Sequence, residues 1–317
     1  MDTGTPEGTG DIPRNDTRST GGGAVMGRGP GAGSGSGGIV LAATPIGNMG
    51  DATPRLVELL QTADIVAAED TRRLHRLVSA LGITVSGRTI SYHEHNETTR
   101  TAELLAAVRD GATLLVVTDA GMPAVSDPGF RLVAAAVEQD LPVTAAPGAS
   151  AVLTALALSG LPTDRFCFEG FLPRKAGDRA ARLAELAGER RTMVFFEAPH
   201  RLEVMLRALD EAFGPERRAA VARELTKLHE QVLRGPLRRL LEWAEDSEVR
   251  GEIAVVVEGA PEPEPARPED HVAAVNALVA DGSRLKDAVA AVAADARVSR
   301  RELYEAVLHT RSAPPSS

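Results

Sequence analysis

Thr118-Asp119-Ala120-Gly121-Met122-Pro123-Ala124-Val125-Ser126-Asp127-Pro128-Gly129 is the stretch that decides how this chain folds. The apolar run Ala112 to Val117 leads into it, and the helical pattern Phe130 to Val137 leads out. A buried strand that ends in a Gly/Pro/Asp loop and then opens a helix is where open α/β sheets bind ligands. Small residues there let a ligand approach the backbone closely.

The same alternation extends in both directions. Ile39 to Ala43, Ile65 to Ala68, Thr89 to Tyr92 and Val143-Thr144 read as short buried strands. Thr53-Pro54 reads as the cap and first residue of a helix to Thr62. Glu69-Asp70-Thr71-Arg72 opens a helix to Leu81, Thr101 to Arg109 forms another, and Pro147-Gly148-Ala149-Ser150 starts a further one. Strands alternating with helices imply a mainly parallel sheet covered on both faces. After Leu161 the pattern changes. Phe166 to Phe171, Thr192 to Phe196, Arg217 to Ala222, Glu230 to Leu233 and Glu252 to Val257 read as strands of a mixed sheet, with helices at Arg182 to Leu186 and Arg201 to Phe213.

The expected fold class is therefore α/β, with two domains and a small helical C-terminal extension. Residues 1–38 are Gly-rich and read as a disordered tail, because they cannot bury enough apolar surface to offset chain entropy. Residues 39–160 form the N-terminal domain, 161–260 the C-terminal domain and 261–270 a Pro/Glu linker. Residues 271–317 hold the helical extension and a tail, with breaks at Asp281-Gly282-Ser283 and near Arg297-Val298-Ser299.

Composition narrows the function. The chain has 317 residues and a formal net charge of −9, so any nucleic-acid contact must come from a local basic patch. Aromatic residues make up 3%, which argues against a broad base-stacking platform. The single cysteine, Cys167, excludes disulfides and cysteine-rich zinc sites, and points to a reducing cytoplasm. The apolar stretch Ala149 to Leu158 is too short to span a bilayer.

Several nucleotide and hydrolase motifs are missing. The first loop, Pro45-Ile46-Gly47-Asn48-Met49-Gly50-Asp51, fails the G-x-G-x-x-G spacing of a dinucleotide fold. No P-loop, no G-x-S-x-G and no H-E-x-x-H occurs. His93 and His95 share one face of a strand but lack a third ligand nearby, so no metal is expected. Pro45 to Asp51, Thr118 to Gly129, Pro147 to Ser150 and Gly160 to Asp164 are four loops expected to converge on one crevice.

These loops, with other stretches, resemble the tetrapyrrole (corrin/porphyrin) methylase superfamily. They look most like its branch that methylates the 2′-hydroxyl of a cytidine, cytidine 1402, in 16S ribosomal RNA of the small ribosomal subunit. The matching stretches are Leu41 to Asp51, Ala68-Glu-Asp-Thr-Arg72, Ser91-Tyr-His-Glu-His-Asn96, the Thr118 to Gly129 loop, Pro147-Gly-Ala-Ser150 and Gly160 to Asp164. Phe168 to Lys175, Phe196-Glu-Ala-Pro-His-Arg201, Ala222-Arg-Glu-Leu-Thr-Lys227 and Gly251-Glu252 complete the set.

The resemblance implies S-adenosylmethionine as cofactor, held in a cleft between two α/β domains, and a homodimer. Its cofactor contacts map onto Pro45, Ile46, Gly121, Met122, Val125, Ser126, Ala149 and Ser150, and onto Phe196, Glu197, Ala222, Arg223, Gly251 and Glu252. Methyl transfer to a ribose hydroxyl needs a base. Candidates are Glu69, Asp70, His93, His95, Glu97, Glu197 and Glu230, with His93 favoured and Glu97 beside it. RNA phosphates need cations, and Arg174-Lys175 leads, followed by Arg201 and Arg223 with Lys227. Arg190-Arg191, Arg217-Arg218 and Arg238-Arg239 read as solvated pairs. Two other readings stand beside this one: a C-methylase of a corrin or porphyrin precursor, and a non-catalytic RNA-binding assembly protein.

Overall fold

A computed structural model describes residues 37–262 and 267–312. The expected N-terminal tail lies outside the described residues except for Gly37 and Gly38, as does the middle of the 261–270 segment. The chain divides into two compact units, Met1–Pro45 with Met49–Ala149, and Ile46–Asn48 with Ser150–Ser317.

The first unit is a wholly parallel sheet of β1 (Gly38–Ala42), β2 (Ile65–Ala68), β3 (Arg88–Ser91), β4 (Thr113–Val117) and β5 (Val143–Ala146). Its order is β3-β2-β4-β1-β5. The helices divide between the two faces. Leu56 and Leu60 of α1 (Pro54–Thr62) and Leu74 of α2 (Thr71–Leu81) pack with Val40, Ala42, Val66, Leu115 and Val117. Leu104, Leu105 and Val108 of α3 (Glu97–Arg109) and Leu132 and Ala136 of α4 (Phe130–Val137) pack on Ile39, Ile65, Ala67, Leu114 and Val116. Alternate residues of each strand thus feed opposite cores, which explains why these strands read as unbroken apolar runs. Connections running one way along the sheet cross one face and the reverse ones cross the other, as right-handed crossovers require.

β1 and β4 are neighbours whose outgoing helices, α1 and α4, lie on opposite faces. That is a topological switch point, where the loops at the carboxyl ends part and leave a crevice.

The second unit is a mixed sheet, β6-β7-β10-β8-β9. Its strands are β6 (Phe166–Phe171), β7 (Thr192–Glu197), β8 (Arg218–Arg223), β9 (Gln231–Pro236) and β10 (Ile253–Val257), and only β6 and β7 pair in parallel. α5 (Ala151–Ser159) lies against β10 and β8. α6 (Ala176–Leu186), α7 (Leu202–Phe213) and α8 (Leu237–Asp246) share one apolar core with Phe195, Val221 and Val255. α9 (Val272–Ala280), α10 (Leu285–Ala296) and α11 (Arg300–Ser312) close on a small core of Val275, Val289, Leu303 and Val307. Arg297 ends α10 in a left-handed conformation, the turn expected there. No described helix is long and apolar enough to cross a membrane.

Three expectations need correction. α3 begins at Glu97, not Thr101. α6 begins at Ala176, not Arg182. Gly160 to Asp164 leads from α5 into β6, so it sits at the amino end of a strand of the second unit and not after a strand of the first.

Candidate active site

In the first unit, Pro45 follows β1, the Thr118 to Gly129 loop follows β4, and Pro147 to Ala149 follows β5. Because β1 lies between β4 and β5, these three loops stand side by side at the carboxyl edge. The first two are joined. Thr44 and Gly121 exchange both backbone hydrogen bonds at 3.0 Å, and the Thr44 hydroxyl donates to the Thr118 carbonyl at 3.1 Å. Gly121 has φ +81°, which an L side chain rarely adopts.

Further along the loop, Ala124 (φ +69°) and Ser126 (φ +61°) are left-handed without being glycine. Such strain persists only where the surroundings impose it, and it concentrates at functional sites. The Ala124 amide donates to the Pro128 carbonyl at 3.2 Å, folding the loop onto itself. Val125 and Ser126 are exposed at its tip, while Pro45 and Gly121 are buried at its base.

Glu97 is assigned a different task by the structure. Its buried Oε1 accepts from the Tyr92 hydroxyl (3.1 Å), the Gly129 amide (3.1 Å) and the Arg131 amide (3.3 Å). A carboxylate receiving the first amides of α4 caps that helix and complements its dipole. Glu97, expected beside His93 in catalysis, is thus engaged as a helix cap through Oε1. Tyr92 is held well above its ordinary value by burial, so its hydroxyl stays a donor. His93 has Nε2 3.3 Å from Asn96 Nδ2, and its Nδ1 is buried without a partner. His95 stands edge-on to it, ring centroids 5.9 Å apart. Among the described residues, no three metal-ligating side chains cluster.

Asp70 caps α2, accepting the Arg72 amide at 2.8 Å, and the Arg72 guanidinium holds its carboxyl down to about 2. Glu69 Oε2 accepts the Asp119 amide at 3.2 Å, and burial raises its pKa. Asp119 pairs with Arg73 at 3.2 Å.

In the second unit the expected residues also meet. Ile253 of β10 pairs with Glu197 of β7 and with Arg223 of β8. Phe196, Glu197, Ala222, Arg223, Gly251 and Glu252 therefore share one edge of that sheet. Glu224 and Glu252 are tied by backbone and side-chain bonds of 2.9 Å. The stretch after β8 is strained, with Glu224 at φ +52° and Thr226 at φ +64°. Gly47 packs on it so closely that a Cβ there would fall on Lys227 Cγ, Thr226 Oγ1 and the Leu225 carbonyl. Ser150 accepts the Leu153 amide and caps α5. Ile46 is buried.

The cations sort differently from expectation. Lys227 is bound by Glu224 at 2.8 Å and Glu252 at 3.0 Å, so it is committed to the fold of this edge. Arg201 donates to the Leu172 carbonyl at 2.9 Å and stands 3.3 Å from buried Glu197. Both, expected as phosphate ligands, are in this structure engaged within the fold. Arg174 and Lys175 are exposed, and neither has an ion-pair partner among the described residues. They adjoin a pocket of about 740 Å³ lined by Phe171, Arg179, His200 and Val204. The remaining pairs are less solvated than expected: Arg238 holds buried Asp210 at 2.7 Å, and Arg217 covers the Phe213 ring at 5.7 Å.

Residues 38–241 match the family of tetrapyrrole (corrin/porphyrin) methylases. The chain belongs to this family. A relative from Mycobacterium bovis, a ribosomal RNA small subunit methyltransferase I, is 53% identical over 87% of this chain and 96% of its own length. One of the same name from Synechocystis is 46% identical over 84% of this chain and 96% of its own. Among methylase-fold structures, a uroporphyrin-III C-methyltransferase from Thermus thermophilus superposes with TM-score 0.50 at 20% identity. It covers 70% of this chain and 97% of its own. A conserved hypothetical protein from Aeropyrum pernix K1 gives 0.55 at 18%, covering 87% and 96%. At these identities the structures speak to the methylase fold alone.

Within this family member, the buried side-chain atoms that lack a hydrogen-bond partner have a pattern, although one of them, Glu197 Oε2, has the Arg201 guanidinium at 3.3 Å. Among the described residues they are His93 Nδ1, Thr118 Oγ1, Glu197 Oε2, Arg223 Nε and Thr226 Oγ1. Every one lies in a stretch that carries the methylase resemblance. Buried polar atoms are nearly always satisfied, so the orphans in each unit mark loops of that unit as built for a ligand. Sequence reading assigned no role to Gly47, whose close packing on the stretch after β8 no local spacing shows.

Proposed function

We propose that this chain transfers a methyl group from S-adenosylmethionine to the ribose 2′-hydroxyl of a cytidine, cytidine 1402, in 16S ribosomal RNA of the small ribosomal subunit. The observation that carries this reading is the 53% identity to a small subunit methyltransferase across nearly all of that relative's length. The orphaned polar atoms at the expected contact stretches fit a polar cofactor of this kind. When bound, S-adenosylmethionine supplies a methyl on a sulfonium, already activated for in-line displacement.

The chain's own work is binding, orientation and exclusion of water. In the first unit we assign cofactor contact to Pro45, Gly121, Met122, Val125, Ser126 and Ala149. In the second unit we assign it to Ile46, Ser150, Phe196, Glu197, Ala222, Arg223, Gly251 and Glu252. Gly121 brings bare backbone to the ligand. Arg174 and Lys175 grip RNA phosphates, supported by their exposure and lack of carboxylate partners. The protein acts in the cytoplasm as a homodimer. Phe130 and Val137, seven residues apart on α4, are 71% and 62% exposed, which fits a face covered by a second copy.

Tritium transfer from labelled S-adenosylmethionine tests the reading, with small ribosomal subunits and uroporphyrinogen as competing acceptors. Label in the ribosomal RNA supports it. Label in the tetrapyrrole moves the chain to the C-methylase branch, and binding of the subunit without label or cofactor makes it an assembly protein.

A further inference from the structure

We propose that Asp127 accepts the proton of the hydroxyl that is methylated. The proposal rests on the methyltransferase reading and adds a residue that reading does not assign.

Asp127 sits in the strained tip of the switch-point loop, between left-handed Ser126 and Pro128. The loop is anchored at both ends. Gly121 pairs with Thr44 on one side, and Glu97 takes the Gly129 amide on the other. The tip cannot relax without breaking one of these anchors, so the carboxyl is held in place.

Three acidic groups surround this point, and their surroundings differ. Asp119 has Arg73 at 3.2 Å. Glu69 is occupied by the Asp119 amide. Asp127 has no cation within ion-pair distance among the described residues. The Thr118 hydroxyl lies beside it, 95% buried as a residue and without a directed hydrogen bond of its own. A carboxylate has several acceptor positions, so Asp127, with the Thr118 hydroxyl on one side and no cation partner among the described residues, can accept a further hydroxyl from a substrate. Burial and repulsion from Glu69, then Asp119, push the Asp127 carboxyl up to about 7, against a weaker pull from Thr118. A base is most effective when its pKa lies near the working pH.

Three of the earlier candidates are engaged elsewhere. Glu97 caps α4 with Oε1, His93 is engaged by Asn96 at Nε2 and buried at Nδ1, and Asp70 is clamped by Arg72.

The step balances. The hydroxyl O–H bond breaks, its proton passes to Asp127, and the oxygen pair forms the new O–CH3 bond. The C–S pair stays on sulfur, so a sulfonium and a carboxylate become a thioether and a carboxylic acid.

The test is Asp127→Asn, which keeps the shape and removes the basic oxygen. Calorimetry with S-adenosylmethionine is expected to give an affinity within about twofold of the parent, while kcat on small subunits falls by ~10²–10⁴-fold. The parent's kcat is expected to rise with pH through an apparent pKa near 7, and Asp127→Asn to lose that limb. Protein labelled with 13C at the Asp carboxyls gives a readout without turnover: one signal, absent in Asp127→Asn, titrates near 7. Should Asp127→Asn not fold, Asp127→Ser takes its place.

A variant kcat within about fivefold of the parent, an unchanged pH limb, or an Asp127 carboxyl titrating below about 5 overturns the proposal. Failure of the parent itself to label the subunit overturns the underlying reading and the proposal with it. Transfer by the parent with an undiminished variant overturns the proposal alone.

Discussion

Single residues carry opposite duties within the Thr118 to Gly129 loop. Glu97 holds it from outside, and its carboxylate satisfies two amides and a buried phenol. Removing it by Glu97→Ala orphans all three donors, and each unsatisfied buried group costs ~1–3 kcal/mol. Thermal unfolding is therefore expected to show a loss of at least ~2 kcal/mol, and a variant melting with the parent would show that the cap does not hold the loop. Asp127 has the reverse signature. Its folded pKa lies above the unfolded one, so the folded state binds the extra proton between about pH 4 and 7. Its contribution to stability is full below the unfolded pKa and lost as pH rises through 7. The expected slope approaches ~1.4 kcal/mol per pH unit across that window. Denaturant midpoints measured at several pH values should fall as pH rises, and the fall should flatten in Asp127→Asn.

Among whole elements, the strands were legible because each is buried on both faces and bounded by Gly, Pro or Asp. β2, α4 and β6 have the bounds expected from sequence. α3 was misread at its start because Thr98 and Thr99 are β-branched and the region before them is polar. The helix begins early for a tertiary reason: Glu97 at its first turn is bonded to α4, which no local pattern encodes. α8 shows the reverse. Leu237, Leu240, Leu241 and Ala244 repeat at helical spacing and face the core, a signal present in the sequence but overshadowed by the Arg238-Arg239 pair. Lys227 and Arg201 each have a carboxylate three or four residues away, Glu224 and Glu197, a spacing visible in the sequence, but their second partners, Glu252 and the Leu172 carbonyl, are distant and cannot be read from spacing. By contrast, the turn joining β6 to α6 offers two exposed cations without ion-pair partners among the described residues. Exchanging both, Arg174→Glu with Lys175→Glu, is expected to weaken subunit binding at least tenfold and leave cofactor affinity unchanged. Filter binding at two salt concentrations should also show a shallower salt slope. An unaltered slope would remove this turn from the RNA contact.

For the molecule as a whole, the two units each gather their resemblance-bearing stretches at one edge of a sheet. In the first unit parallel topology does this, by putting every carboxyl end on the same side. In the second, antiparallel pairing of β10 with β7 and β8 brings three separate stretches into register. The glycine packed on the second edge is a test of that assembly. Gly47→Val would force Thr226 and Lys227 aside. It is expected to reduce S-adenosylmethionine affinity at least tenfold in calorimetry while the circular dichroism spectrum stays that of the parent. Self-association belongs to the same scale: Phe130→Asp is expected to convert a dimer to a monomer in light scattering, and a parent that is already monomeric would contradict the assigned face.

The most direct measurement of the central claim is the fate of one ribose. Ribosomal RNA from subunits treated with the protein and S-adenosylmethionine is hydrolysed in alkali, which cleaves only where the 2′-hydroxyl is free. Resistance at a single cytidine of the small-subunit RNA, dependent on both protein and cofactor, is the predicted result. Complete cleavage there, or a methyl found on the base, would contradict the account.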